Sequence, residues 1–417
     1  MNNEIILDIT DLSYEGKGIA RKDNLVYFVE NALDTETVQA QVIENKSRYA
    51  RAKAIKILNP SPDRVVSECK VYPKCGGCSL RHMSYERQLR LKKETVLSNL
   101  RRIGHLEIDD IKIFPNPLPN GYRNKAEYKV SNNLIGFYED NSHRIVPHDK
   151  CLLVDDTIND IKNIIKNYLT SDISTVTIKK ADEGYMVIIE SEKDLPENLL
   201  EALKNFRPVV SIIQNSSVEA RLIYGKPYIT DNLCGLEFQI SADSFYQVNK
   251  IQTEKLYSIA KQFLLDSASK EDLKEKTLLD LYCGIGTVGL YMADSVKYVI
   301  GVEIGKSAIE NARDNTLINS ITNAEFICAD AKDAIEQIDY NILVADPPRK
   351  GLDEKVIRAI RDKQPETIIF ISCNSSTLAR DIGLLSDLYQ IKDIAAVDMF
   401  THTSHVETVV LITRVNK

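Results

Sequence analysis

A cysteine stands at position 373, one step past the apolar run Thr367-Ile368-Ile369-Phe370-Ile371-Ser372. A short run of β-branched residues that ends abruptly in polar ones reads as a buried parallel strand rather than a helix. Open α/β sheets bind ligands at the carboxyl ends of their strands, so the Cys373 thiol is placed to act as a nucleophile. The plainer use of a cysteine is packing, since it is among the most buried residue types.

A second stretch reads as ligand-binding. Thr277-Leu278-Leu279-Asp280-Leu281 runs into Tyr282-Cys283-Gly284-Ile285-Gly286-Thr287 and then into a predicted helix over 288–294. Glycines let backbone approach a bound molecule closely. The next strand, 296–302, ends in Glu303, roughly twenty residues further on, where an acid accepts ribose hydroxyls. A third strand, 324–329, ends in Asp330, placed to meet an adenine amino group. No third glycine stands at the dinucleotide spacing, which favours S-adenosylmethionine over NAD.

The strand 341–345 leads into Asp346-Pro347-Pro348-Arg349-Lys350-Gly351. Paired prolines make this loop rigid. Methyltransferases of exocyclic amines carry an aromatic after such prolines, and Arg349 in that place argues for another acceptor. Glu407 opens a last strand, 406–413, after Thr401-His402-Thr403-Ser404-His405. A glutamate at a strand entrance is ordinarily exposed.

Cys69, Cys75 and Cys78 crowd into ten positions, with His82 near and Cys151 far behind. Clustered soft thiolates suit zinc or an iron–sulfur cluster. Zinc ribbons bring two close cysteine pairs. Three clustered cysteines with glycines between the last two favour 4Fe-4S, and the spacing is not that of radical-forming clusters.

The elements that would carry these residues follow from patterning. Residues 4–58 alternate apolar and polar between turn signals at 15–18, 22–24 and 33–35, as a small barrel does. Arg48, Arg51, Lys53 and Lys56 along its last strand predict a basic face. Asn59-Pro60-Ser61-Pro62 is a linker. Residues 84–103 predict an amphipathic helix with Leu89, Leu91, Val96, Leu97 and Leu100 on one side. Arg87, Arg90, Lys92, Lys93, Arg101 and Arg102 would form a phosphate-contacting side. Gly121-Tyr122-Arg123-Asn124-Lys125-Ala126-Glu127-Tyr128 interleaves basic and aromatic groups, which suits unpaired bases. An α+β stretch over 127–240 has helices at 156–169 and 196–205 and strands at 175–180 and 184–190. Asn249 is a candidate cap for a helix at 250–265, and Gln247 before it has no role that spacing supplies.

The whole chain has a formal net charge of −7, with 27% charged and 43% hydrophobic residues. That is an ordinary soluble composition, in which nucleic-acid binding would rest on local basic faces. No apolar run approaches the ~18 residues needed to span a membrane. Met1-Asn2-Asn3-Glu4 does not read as a signal peptide, so the cytoplasm is expected. Clustered cysteines there speak for metal or catalysis rather than disulfides.

Two resemblances sharpen this. Tyr14-Glu15-Gly16-Lys17-Gly18-Ile19-Ala20 is similar to the TRAM domain, an OB-like RNA-binding barrel. Over nearly its full length the chain resembles the RNA 5-methyluridine methyltransferases of the 23S rRNA type. Phe245-Tyr246-Gln247-Val248-Asn249, Asp280 to Thr287, Asp346 to Gly351, Ser372-Cys373-Asn374 and His405-Val406-Glu407-Thr408 carry that resemblance. It implies Cys373 as nucleophile and Glu407 as base. It implies Gln247, Tyr282, Glu303 and Asp346 along S-adenosylmethionine and uracil, which Gly284, Thr287 and Asp330 complete as a cofactor set. It also implies Cys69, Cys75, Cys78 and Cys151 as ligands of a 4Fe-4S cluster. Thr287 departs from the asparagine that many members carry.

The chemistry fits these residue types. Carbon 5 of uracil is a poor nucleophile until a thiolate adds to carbon 6 and makes an enolate. Methyl transfer then requires a base to take the carbon 5 proton, and a base extruded from its stack. A thiolate nucleophile calls for a thiol pKa below the ~8.5 reference. The expected architecture is multidomain α/β. It has a TRAM-like barrel over 1–58, an α+β central domain with the cluster over 59–245, and a Rossmann-like class I methyltransferase domain over 246–417. The expected activity is methylation of a uridine in 23S rRNA by a monomer. The alternatives are uridine methylation in tRNA and a non-catalytic RNA-binding assembly factor that holds S-adenosylmethionine.

Overall fold

The computed structural model describes residues 4–415. The first three residues, on which the reading of the amino terminus leans, and the last two lie outside that range. The chain divides into two compact units. One holds the residues up to Thr95 together with Phe137–Val146 and Phe400–His405; the other holds Val96–Gly136, Pro147–Met399 and the residues from Val406 on.

The first unit opens with a six-stranded sheet. Its order is Glu4–Asp8, Thr37–Asn45, Tyr49–Asn59, Leu25–Glu30, Gly18–Lys22 and Asp11–Leu12. Leu7, Val29, Val38, Ala40, Ala50 and Ala52 fill its interior. Asp23 and Asn24 both take positive φ, 51° and 60°, the two-residue turn that suits a twisted hairpin. Ala40 pairs with Ala54 and Gln39 with Lys56, so Ile55 is an extra residue on its strand. That bulge reverses the alternation. It puts Lys56 on the outward side with Arg51 and Lys53, a basic face that strict alternation would have split.

The helix Tyr85–Arg102 forms as its pattern predicts, but its basic side is corrected. At 3.6 residues per turn, Arg87, Gln88, Leu91 and Lys92 share one side, and that side is buried. Arg87 pairs with Asp34 and Glu94, each at 3.0 Å, and Lys92 Nζ donates to the Phe400 carbonyl at 3.0 Å. These two cations are therefore interior groups. Arg90 pairs with Asp63, while Arg101 and Arg102 remain exposed.

In the second unit, the strands Lys125–Ser131, Ile173–Lys180, Tyr185–Ser191, Val209–Asn215 and Ala220–Gly225 lie in that order within a seven-stranded sheet. The helices Asp156–Lys166 and Glu197–Asn205 bury Ile158, Ile161, Ile165, Leu199 and Leu203. The hairpin Tyr228–Leu233 with Leu236–Ser241 was not read from the sequence. Its turn is Cys234-Gly235, with φ of 55° and 82°.

The remaining strands form an eight-stranded sheet. The order is Ala324–Cys328, Tyr298–Glu303, Thr277–Leu281, Ile342–Ala345, Thr367–Ser372, Glu407–Arg414, Tyr389–Val397 and Lys112–Phe114. The first five run parallel, and Glu407–Arg414 enters antiparallel beside Thr367–Ser372. The fully buried apolar runs Ile342–Ala345 and Thr367–Ser372 at its centre are what a sheet covered on both faces requires. Chain order reverses between Thr277–Leu281 and Ile342–Ala345, which opens a ligand crevice at their carboxyl ends. The short strand Lys112–Phe114, far upstream, closes the sheet's other edge and gave no periodic signal of its own.

Candidate active site

Strand register brings the proposed catalytic pair together. Ser372 pairs with Thr408 in antiparallel register, so Cys373, just past the end of one strand, and Glu407, at the start of the other, lie near enough for the carboxyl to act on the thiol. Glu407 also pairs with Val397 on its other side and is only 3% exposed. A central antiparallel strand, and not a sheet edge, therefore carries it, which corrects the expectation of an exposed carboxylate. Ala345 lies beside Phe370, so the Asp346 loop leaves the sheet next to the Cys373 strand. That loop is tied across the gap, where Asn374 Nδ2 donates to the Arg349 carbonyl at 2.8 Å. Asn374 also caps the helix Ser375–Gly383 by accepting from the Ser376 N–H.

The electrostatics of this group are those of a buried, acid-rich site. Burial pushes Asp346 and Glu407 above the ordinary carboxylate range; Asp280 adds to the shift of Asp346 and Asp346 to that of Glu407. Burial, then Glu407 and Asp346, push the Cys373 thiol up to about 11, and Arg349 pulls it down. The expectation of a depressed thiol is thus not met by the side chains alone. Two carboxyl groups and a poorly hydrated position disfavour the thiolate more than one guanidinium favours it.

The second group surrounds the glycine loop. Tyr282 has φ of +69°, a conformation costly for a bulky residue and common at functional sites. Gly284 has φ of +55° and open space where a Cβ would be. Asp280, 1% exposed, accepts from the Gly289 N–H at 2.8 Å and is pushed up to about 7 by burial. It pins the helix start behind the loop. Thr287 begins that helix, and its hydroxyl meets the Tyr257 hydroxyl at 2.9 Å. Glu303 accepts from the Gly305 N–H at 2.9 Å. Asp330 pairs with Lys332 at 2.8 Å and caps the short helix Ala331–Ala334. Ile304, between the two, is 68% exposed and offers an apolar face that no sequence pattern marks.

Gln247 lies in a loop held from several sides. Asn124 Nδ2 donates to the Gln247 carbonyl at 3.0 Å and the Asn124 N–H to Val248 at 2.9 Å. The buried Lys179 ammonium donates to the carbonyls of Ser241 and Ser244, each at 2.9 Å. The Ser244 hydroxyl donates to Asn311, and the Tyr246 hydroxyl to Asp231. Asn249 caps the helix Lys250–Ser267 as predicted. Lys179, Asn124 and Asn311 were missed, because each acts on backbone far from it in sequence and no local motif marks it.

Cys69, Cys75 and Cys78 lie in the first unit and Cys151 in the second; all are half-buried. Gly77 N–H points at Cys75 Sγ at 3.4 Å and Arg81 Nε–H at Cys78 Sγ at 3.3 Å. Among the described residues, no three or more His, Cys, Asp or Glu side chains converge as ligands of one metal ion do.

Residues 84–415 match the family description tRNA (Uracil-5-)-methyltransferase. The chain belongs to this family. It is an S-adenosylmethionine-dependent RNA (uracil-C5)-methyltransferase. Residues 3–55 match the TRAM domain. An RNA methyltransferase of Clostridium acetobutylicum is 35% identical over 100% of this chain and 98% of its own. One from Staphylococcus aureus is 36% identical over 97% and 96%. Among solved structures, Pyrococcus abyssi tRNA (uracil-54, C5)-methyltransferase with S-adenosyl-L-homocysteine aligns with a TM-score of 0.81. It is 26% identical and covers 98% of this chain and 99% of that one. In this enzyme no helix among the described residues is long and apolar enough to cross a membrane.

Proposed function

We propose that the enzyme methylates carbon 5 of a uridine through a covalent adduct on Cys373. The observation that supports this most is the pairing of Ser372 with Thr408, which brings Cys373 and the buried Glu407 to neighbouring strand ends. The Cys373 thiolate adds to carbon 6, and the carbon 5–carbon 6 electrons move into the carbonyl at carbon 4. Carbon 5 then takes the methyl group that S-adenosylmethionine supplies. The Glu407 carboxylate removes the carbon 5 proton, the double bond re-forms, and the thiolate leaves. Positive charge from Arg349 opposes the burial and the carboxyl groups that hold the Cys373 proton, and a bound sulfonium would add to it. Tyr282, Gly284, Glu303 and Asp330 are proposed to hold the nucleoside part of the cofactor, and Gln247 and Thr287 its other end. Asp346 fits either cofactor contact or alignment of the uracil edge.

The test is direct. Cys373→Ala should abolish methyl transfer, and wild-type enzyme on RNA bearing 5-fluorouridine should accumulate a covalent adduct, because fluorine cannot leave as a proton. Wild-type turnover by Cys373→Ala would refute the mechanism.

We take 23S rRNA as the first target. A tRNA uridine is the second reading, favoured by the full-length likeness to the Pyrococcus enzyme. Because that likeness spans the barrel as well, the barrel does not separate the two. Methyl incorporation into 23S transcript against tRNA does. The assembly-factor alternative predicts no incorporation into either.

The donor set of Cys69, Cys75 and Cys78 fits a soft cluster, and N–H groups aimed at two of the sulfurs are what cluster thiolates accept. We propose that they hold a 4Fe-4S cluster, with Cys151 as fourth ligand on the strength of the resemblance, in a structural role. Anaerobically purified protein should carry about four irons per chain, as a 4Fe-4S cluster requires. Cys75→Ala should lose that iron.

A further inference from the structure

The segment Gly121-Tyr122-Arg123 has no role in the chemistry above, and with Asn124 it lines a separate cavity. This cavity, of about 210 Å³, lies within the second unit between Leu118, Gly121, Arg123, Asn124, Lys180, Asn249 and Lys250. Its lysines are satisfied. Lys180 pairs with Asp155 at 2.9 Å, and Lys250 with Asp182 at 2.7 Å and Asp231 at 3.0 Å. Arg123 differs. Its backbone is pinned, the N–H to Leu153 at 2.9 Å and the carbonyl to Asp155 at 3.3 Å. Its guanidinium carbon sits 6.0 Å from the Tyr122 ring, and its buried Nε–H has no acceptor among the described residues. Arg123 is thus the one cation of the lining without a carboxylate partner among the described residues.

The cavity is also open where chain would ordinarily fill it. Gly121 has φ of +67°, and nothing lies within 4 Å of where its Cβ would be. Leu118 and Ile251 leave apolar surface at the rim, 46% and 45% exposed. A guanidinium in a cavity wall beside apolar patches suits a phosphate together with the flat face of its base or sugar. Asn124 and Asn249 form the wall shared with the Gln247 loop, so whatever enters here lies next to the group in that loop.

We propose that this cavity binds one nucleotide of the RNA adjacent to the target uridine, its phosphate on Arg123 and its base or sugar against Leu118 and Ile251. The inference rests on the methyltransferase reading. It makes Arg123 a determinant of RNA affinity and register, apart from cofactor binding and from the adduct.

The experiment uses full-length enzyme, a labelled RNA stem-loop and S-adenosylhomocysteine. Arg123→Gln removes the guanidinium, and Leu118→Glu places a charge at an exposed rim position that folding tolerates. Each should raise KM for RNA about tenfold, with kcat at saturating RNA and S-adenosylhomocysteine affinity unchanged. For Arg123→Gln the slope of log Kd against log salt should fall by about 0.7–0.9, the contribution of one phosphate. Wild-type KM and salt slope in both variants would overturn the proposal. So would a loss confined to kcat or to S-adenosylhomocysteine binding, which would make Arg123 a support of the Gln247 loop. If wild-type enzyme methylates no RNA, the functional reading fails, and the binding and salt measurements still decide the cavity.

Discussion

Cys373 sits in surroundings that oppose its own ionisation, and this sets its pH behaviour. The folded protein holds the Cys373 proton more tightly than an unfolded chain, whose thiols ionise near ~8.5. This contribution to stability is present below that value and is lost as pH rises through about 11. The same shift governs reactivity. The rate of iodoacetamide alkylation at Cys373 should rise with a midpoint well above 8.5 in the ligand-free enzyme. Arg349→Gln should move that midpoint higher, since the guanidinium is the charge that favours thiolate. A midpoint below ~8, under the reference for a free thiol, would contradict the site as described. At this scale the candidate nucleophile's place was legible in the sequence, because a cysteine one step past a buried strand is a local pattern. Its partner's burial was not. Glu407 is hidden only because its strand inserts between Thr367–Ser372 and Tyr389–Val397.

Elements hold the loop that carries Gln247, and one of its fastenings is Lys179. This residue reaches from the strand Ile173–Lys180 to two carbonyls at the start of the loop that carries Gln247. Burial pushes its ammonium down to about 7, so it donates from a nearly dry position. Lys179→Met should keep the packing volume and lose the clamp. S-adenosylhomocysteine affinity measured by calorimetry should fall about tenfold, which is ~1.4 kcal/mol. Amide exchange over 242–249 should quicken while that of Thr277–Leu281 does not. Unchanged affinity would mean that Asn124 and Asn311 suffice. The strands and helices themselves were largely legible, since their periods are strong. Val209–Asn215, Lys306–Ile318 and Glu354–Lys363 are among those not read, and two further misses have a clear cause, Lys112–Phe114 and the hairpin around Cys234-Gly235. The first is too short for a period to show, and the second turns on a residue pair without the usual turn chemistry.

At the scale of the whole molecule, the first unit carries the RNA-binding barrel and the second the strands of the active site. The bulge at Ile55 makes Lys53 and Lys56 neighbours on one outward face. Lys53→Gln with Lys56→Gln should weaken binding of RNA. The salt slope should fall by about 0.7–0.9 for each phosphate that these lysines neutralise. S-adenosylhomocysteine affinity should stay as it was. An unchanged slope would remove this face from the RNA footprint. The segment Phe400–His405 belongs to the first unit although the strand bearing Glu407 follows at once. Within that unit the His402 carbonyl accepts from Ser79 and Leu80, just past the cysteine loop. Ordering of that loop by a cluster would thus also order the lead-in to the strand of Glu407.

The sequence by itself determined the reaction class, the candidate nucleophile, the strand–glycine–helix unit and most elements. The reaction class rests on the family resemblance, and the others on residue types and periods within a few positions, which local sterics and solvation enforce. The tertiary structure decided what depends on distant pairing. It set Glu407 near Cys373 and made both hold their protons more tightly. It buried Arg87 and Lys92, which the helix pattern alone placed outside. It set Arg123 in the wall of a cavity, among lysines that already have partners. Charge and burial act through space, and a linear pattern carries the identity of a group but not the company it keeps.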